Sequence, residues 1–441
     1  MMIELSEQQQ CVFDKYLLRQ NIFITGPGGS GKSALIKYIY DDAIRKGRNI
    51  QVTALTGCAA VLLNCKAKTL HSWAGIGLGN AEADFIVEKI EKNRYKKKVW
   101  RETDILIVDE VSMMSLKLFE LINLVGKEVR KSNRPFGGIQ VIFSGDFYQL
   151  PPVASSLANL EDSQFCFESE LWHILFDPVN QIALKKIFRQ KDEVYATILN
   201  QLREGKLKRK SYELLMSYVG KSVPEDSLIM PTKIFPTRSK VEQINSREME
   251  KLSGDTRIFE LKKLANLTDG TNQKKQYYTT EEKEQEWKYL ANNLMCESVI
   301  HLKIGSQVMC IINKELDDGQ ILCNGSQGVV TGFIGLVTIL VKFNELPAEI
   351  PLSMHTWASE RSPGLGVSQL PIILAWAITI HKSQGASLDM AEIDVGSDIF
   401  ECGQTYVALS RVRSLEGLFL TSFDLSKILI NKKVQEFYNK L

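Results

Sequence analysis

The sequence has almost no surplus of charge: 54 Lys and Arg stand against 52 Asp and Glu over 441 residues, a formal charge of +2. Overall charge therefore identifies no partner, and any surface for a polyanion must be a local patch. The eight cysteines, Cys11, Cys58, Cys65, Cys166, Cys296, Cys310, Cys323 and Cys402, include no C-x-x-C pair. That spacing argues against both a zinc ribbon and a disulfide framework and fits a reducing compartment. Long apolar runs are missing too. The longest, Pro371 to Ile380, is roughly half of the ~20 residues a bilayer span needs. The opening MMIELSEQQQ lacks the apolar core of a signal peptide. No membrane association is expected. The chain is 44% hydrophobic and 24% charged, which matches a folded globular protein and excludes dominant disorder. At roughly 150 residues per domain, about three domains are expected.

The first third alternates strand-like and helix-like segments. Continuous apolar runs at Asn21–Thr25, Ile50–Leu55, Thr103–Val108 and Ile139–Ser144 predict strands buried on both faces, as in a parallel sheet covered by helices. Ser33 to about Lys46 predicts a helix with Leu35, Ile39 and Ala43 on one stripe, stopped at Gly47. Asp84–Arg101 is a basic helical excursion, with seven Lys/Arg against three Asp/Glu. A second αβ series begins near Gln181, with a strand over IALKKIF, another over SLIMPTK, and a helix from Ser239 to Leu252. Residues 264–298 are polar and uninformative. Residues 299–350 read as short strands punctuated by Gly and Asn, the pattern of a small β-barrel. The αβ pattern then returns with LAWAITI, EIDV, a helix over Thr405–Arg413 and the strand LFLTSF.

Gly26-Pro27-Gly28-Gly29-Ser30-Gly31-Lys32-Ser33 fits G-x-x-x-x-G-K-[ST] between a strand and a helix. In that setting the backbone N–H groups wrap a phosphate and the helix N-terminus adds positive potential. Lys32 is expected on the β/γ-phosphates of ATP and Ser33 on Mg²⁺. Ile105–Glu110 is an apolar strand ending in two carboxylates, at the sheet edge where α/β folds bind ligands. Asp109 is expected to hold Mg²⁺ through water, and Glu110 to orient and deprotonate the attacking water. Arg189 and Arg411 have surroundings that suit a transition-state clamp across a cleft. On pattern alone, each reads more readily as a surface or salt-bridged arginine than as a catalytic one.

These residues, in this order, resemble superfamily 1B DNA helicases, and within them the PIF-type family. Leu5-Ser6-Glu7-Gln8-Gln9 is similar to the Q motif, with Gln9 the expected adenine reader. TALTGCAA (Thr53–Ala60) and TLHSWAG (Thr69–Gly75) look like two further family segments. PFGGIQ (Pro135–Gln140), leading into GDFYQLPPV (Gly145–Val153), resembles the family signature running into motif III. Leu184–Gln190, Ala375–Gly385 and Tyr406–Arg411 look like motifs IV, V and VI. Departures are Leu55 where the family usually has proline, and Cys58, Leu70 and Trp73 in place of Ile, Ile and Phe.

The resemblance spans about residues 5 to 423 and implies an α/β fold of two RecA-like P-loop NTPase domains with ATP between them. The expected boundaries are 1–180 for the first motor domain, with a wedge insertion at about 77–101, and 181–298 with 367–441 for the second. A small SH3-like β-barrel is expected at 299–366, and the chain as a whole is expected to be close to a bare motor core. The resemblance gives Arg189 and Arg411 catalytic roles, makes Gln149 the γ-phosphate sensor and adds Gly385 to the nucleotide contacts.

DNA contacts are expected from Thr56, His71, Trp73, Phe147 and Pro151 on the first motor domain and Thr379, His381 and Lys382 on the second. On sequence alone Trp73 reads also as core, His381 as a core histidine, and Arg94–Arg101 and Arg203–Lys210 as solvated faces. The expected function is an ATP-dependent DNA helicase, monomeric when free, acting on single-stranded DNA and on duplexes or forks with a 5′ tail. The 5′→3′ direction comes from the resemblance alone. A single-strand-binding protein gated by ATP would share Lys32 and Glu110 but would not split a duplex. A small-molecule kinase would leave PFGGIQ and AWAITIHKSQG without a role.

Overall fold

The computed structural model describes residues 5–441 except 64, 78, 80, 153–162, 191, 224–229, 268–277, 317–320, 345, 360–361 and 363. Val153 of the motif III segment, and Ser227–Ile229 of the SLIMPTK segment, lie outside the described residues. The chain divides into two compact units. One comprises residues 1–214, 399–410 and 424–441; the other comprises 215–398 and 411–423.

The first unit is built on six parallel strands: β1 (Ile22–Thr25), β2 (Ile50–Ala54), β3 (Lys68–Thr69), β4 (Ile105–Asp109), β5 (Gln140–Gly145) and β6 (Gln181–Ala183). Their order is β3-β2-β4-β5-β1-β6. β1, β4 and β5 are buried along their whole length, as continuous apolarity predicts. Successive residues serve opposite layers. Ile22 and Ile24 pack with Leu35, Ile36 and Ile39, whereas Phe23 packs with Phe143, Trp172 and Phe176. Each such side chain contributes about 1.5–3 kcal/mol when fully buried.

Helix α1 covers Glu7–Leu17 and begins at a capping box in which Ser6 and Gln9 bond reciprocally. Helix α2 covers Lys32–Arg45 and buries the expected stripe of Leu35, Ile39 and Ala43. α3 (Gly57–Leu62) and α4 (Leu70–Ala74) follow. The basic excursion forms α5 (Ala83–Lys92) and α6 (Arg94–Glu102), which pack on α7 (Leu116–Arg130).

The PFGG segment is a tight turn in which Phe136 (φ +52°) and Gly137 (φ +63°) are both left-handed. Phe136 is buried, its ring 5.7 Å from that of Phe119 and 6.2 Å from that of Phe143. Its N–H donates to Asn123 Oδ1 at 2.9 Å. Gly126 on α7 permits the approach, because a Cβ there would lie 2.8 Å from the Phe136 carbonyl carbon. The signature is thus first a packing device.

Two expectations about the middle of the chain need correction. Residues 181–183 open no second domain: β6 pairs with β1, and the compact division keeps the chain with the first unit as far as Leu214. IALKKIF is a strand only over its first residues. Beyond Ala183 it follows the phosphate loop instead, with Leu184 N–H bonded to Thr25 O and Phe188 N–H to Gly29 O, both at 2.8 Å.

The second unit has its own parallel sheet, with 377–379, 232–235, 391–395 and 418–423 side by side. An antiparallel sheet joins 349–353, 338–343, 327–334, 307–310 and 372–374. The β-rich insertion therefore reaches beyond the expected 299–366. It recruits 372–374, and the strand at 299–302 pairs with 257–260. The polar stretch 264–298 contains a helix, Thr280–Asn293, started by a Thr279/Glu282 capping box. No described helix is long and apolar enough to cross a membrane.

A Cβ at Gly137 would lie 2.3 Å from the Gly126 carbonyl oxygen, on a left-handed residue. Gly137→Ala should therefore lower stability by about 2–4 kcal/mol, combining overpacking with backbone strain. Gly47→Ala, equally left-handed but with nothing within 4 Å, should lose only about 1–2 kcal/mol. Urea unfolding compares them; equal midpoints would remove the packing role of the signature.

Candidate active site and nucleic-acid surface

The phosphate loop leaves β1 through Gly26 (φ +146°), Gly29 (φ +83°) and Gly31 (φ +82°). Each glycine admits a neighbour at close range. A Cβ would lie 2.5 Å from Leu184 O at Gly26, 2.4 Å from Arg189 Cβ at Gly29 and 2.7 Å from Gln9 Nε2 at Gly31. Gln9 and Arg189 are thus both brought against the loop, together with the ring of Phe188. Arg189 comes from the first unit, which corrects the expectation that the second supplies it.

Two groups here are both polar and buried: the Ser30 hydroxyl, and the Gln190 amide beside Gly29. Neither has a hydrogen-bond partner among the described residues. Gln190 closes the motif IV segment, and its residue type alone carries no signal of a role.

Beneath the loop lies a cluster of charge. Lys32 Nζ donates to Gly26 O at 2.7 Å and Pro27 O at 3.1 Å. Burial pushes its ammonium below the ordinary value, while Asp146, Glu110 and Asp109 pull it back up. Burial likewise raises the Asp109 carboxyl, opposed by the Ser144 hydroxyl, Lys32 and the Glu110 N–H. Glu110 is left-handed at φ +56°, a conformation worth about 1–3 kcal/mol of strain at a non-glycine residue. Gln149 is buried, and its carbonyl oxygen would lie 2.5 Å from a Cβ on Gly403.

Three residues outside the expected set wire this edge together. Tyr438, on the C-terminal helix Lys432–Tyr438, shares a 2.6 Å hydrogen bond with Thr25 Oγ1 and accepts from the Phe147 N–H at 3.1 Å. Its ring stacks on Tyr148 at 4.7 Å. Arg203 covers both rings and grips Asp146 with Nε and Nη2, at 2.9 and 2.8 Å. Despite burial, Asp146 holds the guanidinium above its ordinary value. Tyr406 accepts from the Gly28 N–H at 2.8 Å. Arg203 sits in the run expected to be a solvated face, and nothing in that run's composition separates it from its exposed neighbours. Tyr438 has no motif around it.

Two of the residues expected to contact DNA, Trp73 and Phe147, are enclosed in the core. Trp73 is 0% exposed and lies 4.3 Å from Trp100. It holds α6 onto α4, assisted by Trp100 Nε1 on Ala74 O (3.0 Å) and Lys96 Nζ on Ser72 O (2.5 Å). Phe147 is buried among Phe23, Phe167, Trp172 and Phe437. Neither ring can stack on a base in this structure. Thr56 caps α3 through Ala59 N–H, and His71 is half-buried, its imidazolium disfavoured by burial. Pro151 is partly exposed.

In the second unit, Thr379, His381 and Lys382 line a groove of about 840 Å³ with Arg238, Asn245 and Met249. Thr379 Oγ1 accepts from the Lys382 N–H, and Lys382 Nζ reaches Met295 O at 3.4 Å. Arg411 is buried, donating from Nη1 to Ser383 O at 3.4 Å, near Gly385 (φ +85°).

Comparison with known proteins identifies the relatives of this chain. Residues 4–213 match the family model for PIF1-like helicases, and residues 288–333 match the 2B domain of DNA helicase Pif1. The chain is 36% identical to an ATP-dependent DNA helicase PIF1 of Emericella nidulans, over 96% of its own length and 61% of that protein's. It thus spans about three-fifths of that relative. It is similar to the crystal structure of Pif1 helicase from Candida albicans, with a TM-score of 0.78 and 35% identity over 99% of both chains. A Bacteroides Pif1 in complex with ADP-AlF3 and single-stranded DNA aligns at a TM-score of 0.66 and 28% identity, over 100% of this chain and 97% of that one.

Trp73→Ala should lower stability by about 3–5 kcal/mol, the usual loss for a buried tryptophan; unaltered unfolding with weakened DNA binding would restore its stacking role. Arg203→Ala should be destabilising by about 3–5 kcal/mol, since it leaves Asp146 buried without its cation. Tyr438→Phe keeps the ring stack and should lose about 1–3 kcal/mol. Thermal and urea denaturation rank the two, and the reverse order would contradict the wiring described.

Proposed function

Because this chain belongs to the PIF1-like helicase family, we propose that it is an ATP-driven motor that moves 5′→3′ along single-stranded DNA and separates duplex strands. One observation carries the reading from the chain's own atoms. An ammonium and three carboxylates are gathered beneath a left-handed glycine loop at the carboxyl edge of a parallel sheet. Such an edge binds a polyphosphate.

In this reading the N–H groups of Gly26 to Ser33 wrap the phosphates, and Lys32 leaves the loop carbonyls for the β- and γ-phosphate oxygens. Tyr406 yields the Gly28 N–H. Gln9 reads adenine, with the half-exposed ring of Phe188 beside it against Gly31. A hydroxyl and a carboxylate, from Ser33 and Asp109, form the oxygen donor set suited to Mg²⁺, which usually keeps several waters and takes few protein ligands. Mg²⁺ would neutralise charge on the phosphates. Glu110 orients the attacking water and takes its proton. Gln149 senses the γ-phosphate. Arg189, packed on Gly29, and Arg411 stabilise the charge that develops as the bond breaks.

Thr56, His71 and Pro151 are assigned to the DNA strand on the first unit, and Thr379, His381 and Lys382 on the second. The exposed Arg94 and Lys98 of α6 present charge to the duplex. Nucleotide drives movement only through its different affinity for states that grip the strand differently.

The test is strand displacement. A duplex with a 5′ single-stranded tail should be separated when ATP is present, and one with a 3′ tail should not. Glu110→Gln should bind nucleotide normally while turnover falls by about 10²–10⁴, the usual contribution of a general base. Strand separation without ATP, or equal use of both tails, would contradict the proposal.

A further inference from the structure

The PFGG turn walls a concave cleft of about 450 Å³. The cleft lies where the strands begin: Asn21 precedes β1, Asp104 precedes β4, Ile139 precedes β5 and Gln140 opens it. The phosphate loop lies at the other ends of those strands, about 15–20 Å away at ~3.3 Å per residue.

Four arginines, Arg19, Arg48, Arg130 and Arg134, line this cleft against one carboxylate, Asp104. That carboxylate is engaged already, since its Oδ2 accepts from the Asn49 N–H at 2.9 Å. Two of the guanidiniums are held in place. Arg130 donates from Nε to Gly137 O and from Nη1 to the carbonyls of Trp100, Arg101 and Thr103, at 2.5 to 3.0 Å. Arg48 donates to Gln140 Oε1 at 2.9 Å and lies 5.5 Å from the Tyr16 ring. Arg19 and Arg134 are exposed and reach the same space. Burial holds the Arg130 guanidinium below its ordinary value against the pull of Asp104, so an added anion beside it would be favoured.

Guanidinium forks match phosphate oxygens in pairs. A cleft of this volume suits a small ligand and does not admit a duplex. We propose that the cleft is a second anion site, separate from the phosphate loop, which binds a compact polyphosphate through the surplus of arginine. The signature turn then serves this cleft as well as the core, because its Gly137 carbonyl fixes Arg130 and Arg134 leads into it.

Calorimetric titration of the whole chain with inorganic tripolyphosphate, with ADP saturating the phosphate loop, reads this site by itself. One saturable site is expected, weakened tenfold or more by Arg134→Glu and by Arg19→Glu. Arg134→Lys, which keeps charge and loses the fork, should fall between. The substituted side chains are exposed and far from the nucleotide, so ATP turnover without DNA should stay at the wild-type rate and report an intact fold. Absence of saturable binding under ADP would overturn the proposal. So would binding unchanged in both glutamate variants, or equal binding of a tetraglutamate peptide.

Discussion

Burial of charge at one edge of an otherwise dry sheet is the constraint on which the first unit depends. β1, β4 and β5 are buried along their length, so whatever follows them is desolvated on at least one side. Lys32, Asp109 and Asp146 all sit there, and isolated charges in such a place are costly. The structure answers with mutual compensation: loop carbonyls on Lys32, carboxylates around it, and a two-pronged arginine on Asp146. Burial still raises the Asp109 carboxyl and lowers the Lys32 ammonium. A bound polyphosphate with its counter-cation would relieve both, which is how an edge of this kind favours its ligand.

The same constraint explains why distant parts of the chain return to this edge. The C-terminal helix brings Tyr438 between Thr25, which precedes the phosphate loop, and Phe147, which follows Asp146. Residues 399–410 bring Tyr406 to Gly28. The last residues therefore complete the first unit. A break in this wiring would be felt at the loop and at motif III together, because one hydroxyl serves both.

Much of this was legible in the sequence because it rests on local rules. A glycine run after an apolar strand, an apolar strand ending in Asp109-Glu110, and a stripe at Leu35, Ile39 and Ala43 each reflect a short-range requirement. What could not be read depends on tertiary context. Trp73 and Phe147 are aromatic residues in motifs tied to a DNA track, and only the packing of α6 and of the Phe23 cluster shows that both rings are enclosed. Lys96 belongs to a basic run, yet it is spent on the Ser72 carbonyl. Arg203 looks like any surface arginine until Asp146 and two tyrosine rings close on it. The IALKKIF segment has strand composition throughout but a pairing partner only at its start, because the phosphate loop takes its later N–H groups.

If this charged edge cleaves ATP, a DNA strand should set the pace. Phosphate release by the purified chain, measured at saturating ATP with an unstructured single-stranded oligonucleotide added stepwise, tests it most directly. The account predicts slow release without DNA, and a rise of at least tenfold that saturates as the oligonucleotide binds. A rate that stays constant across the titration would contradict it.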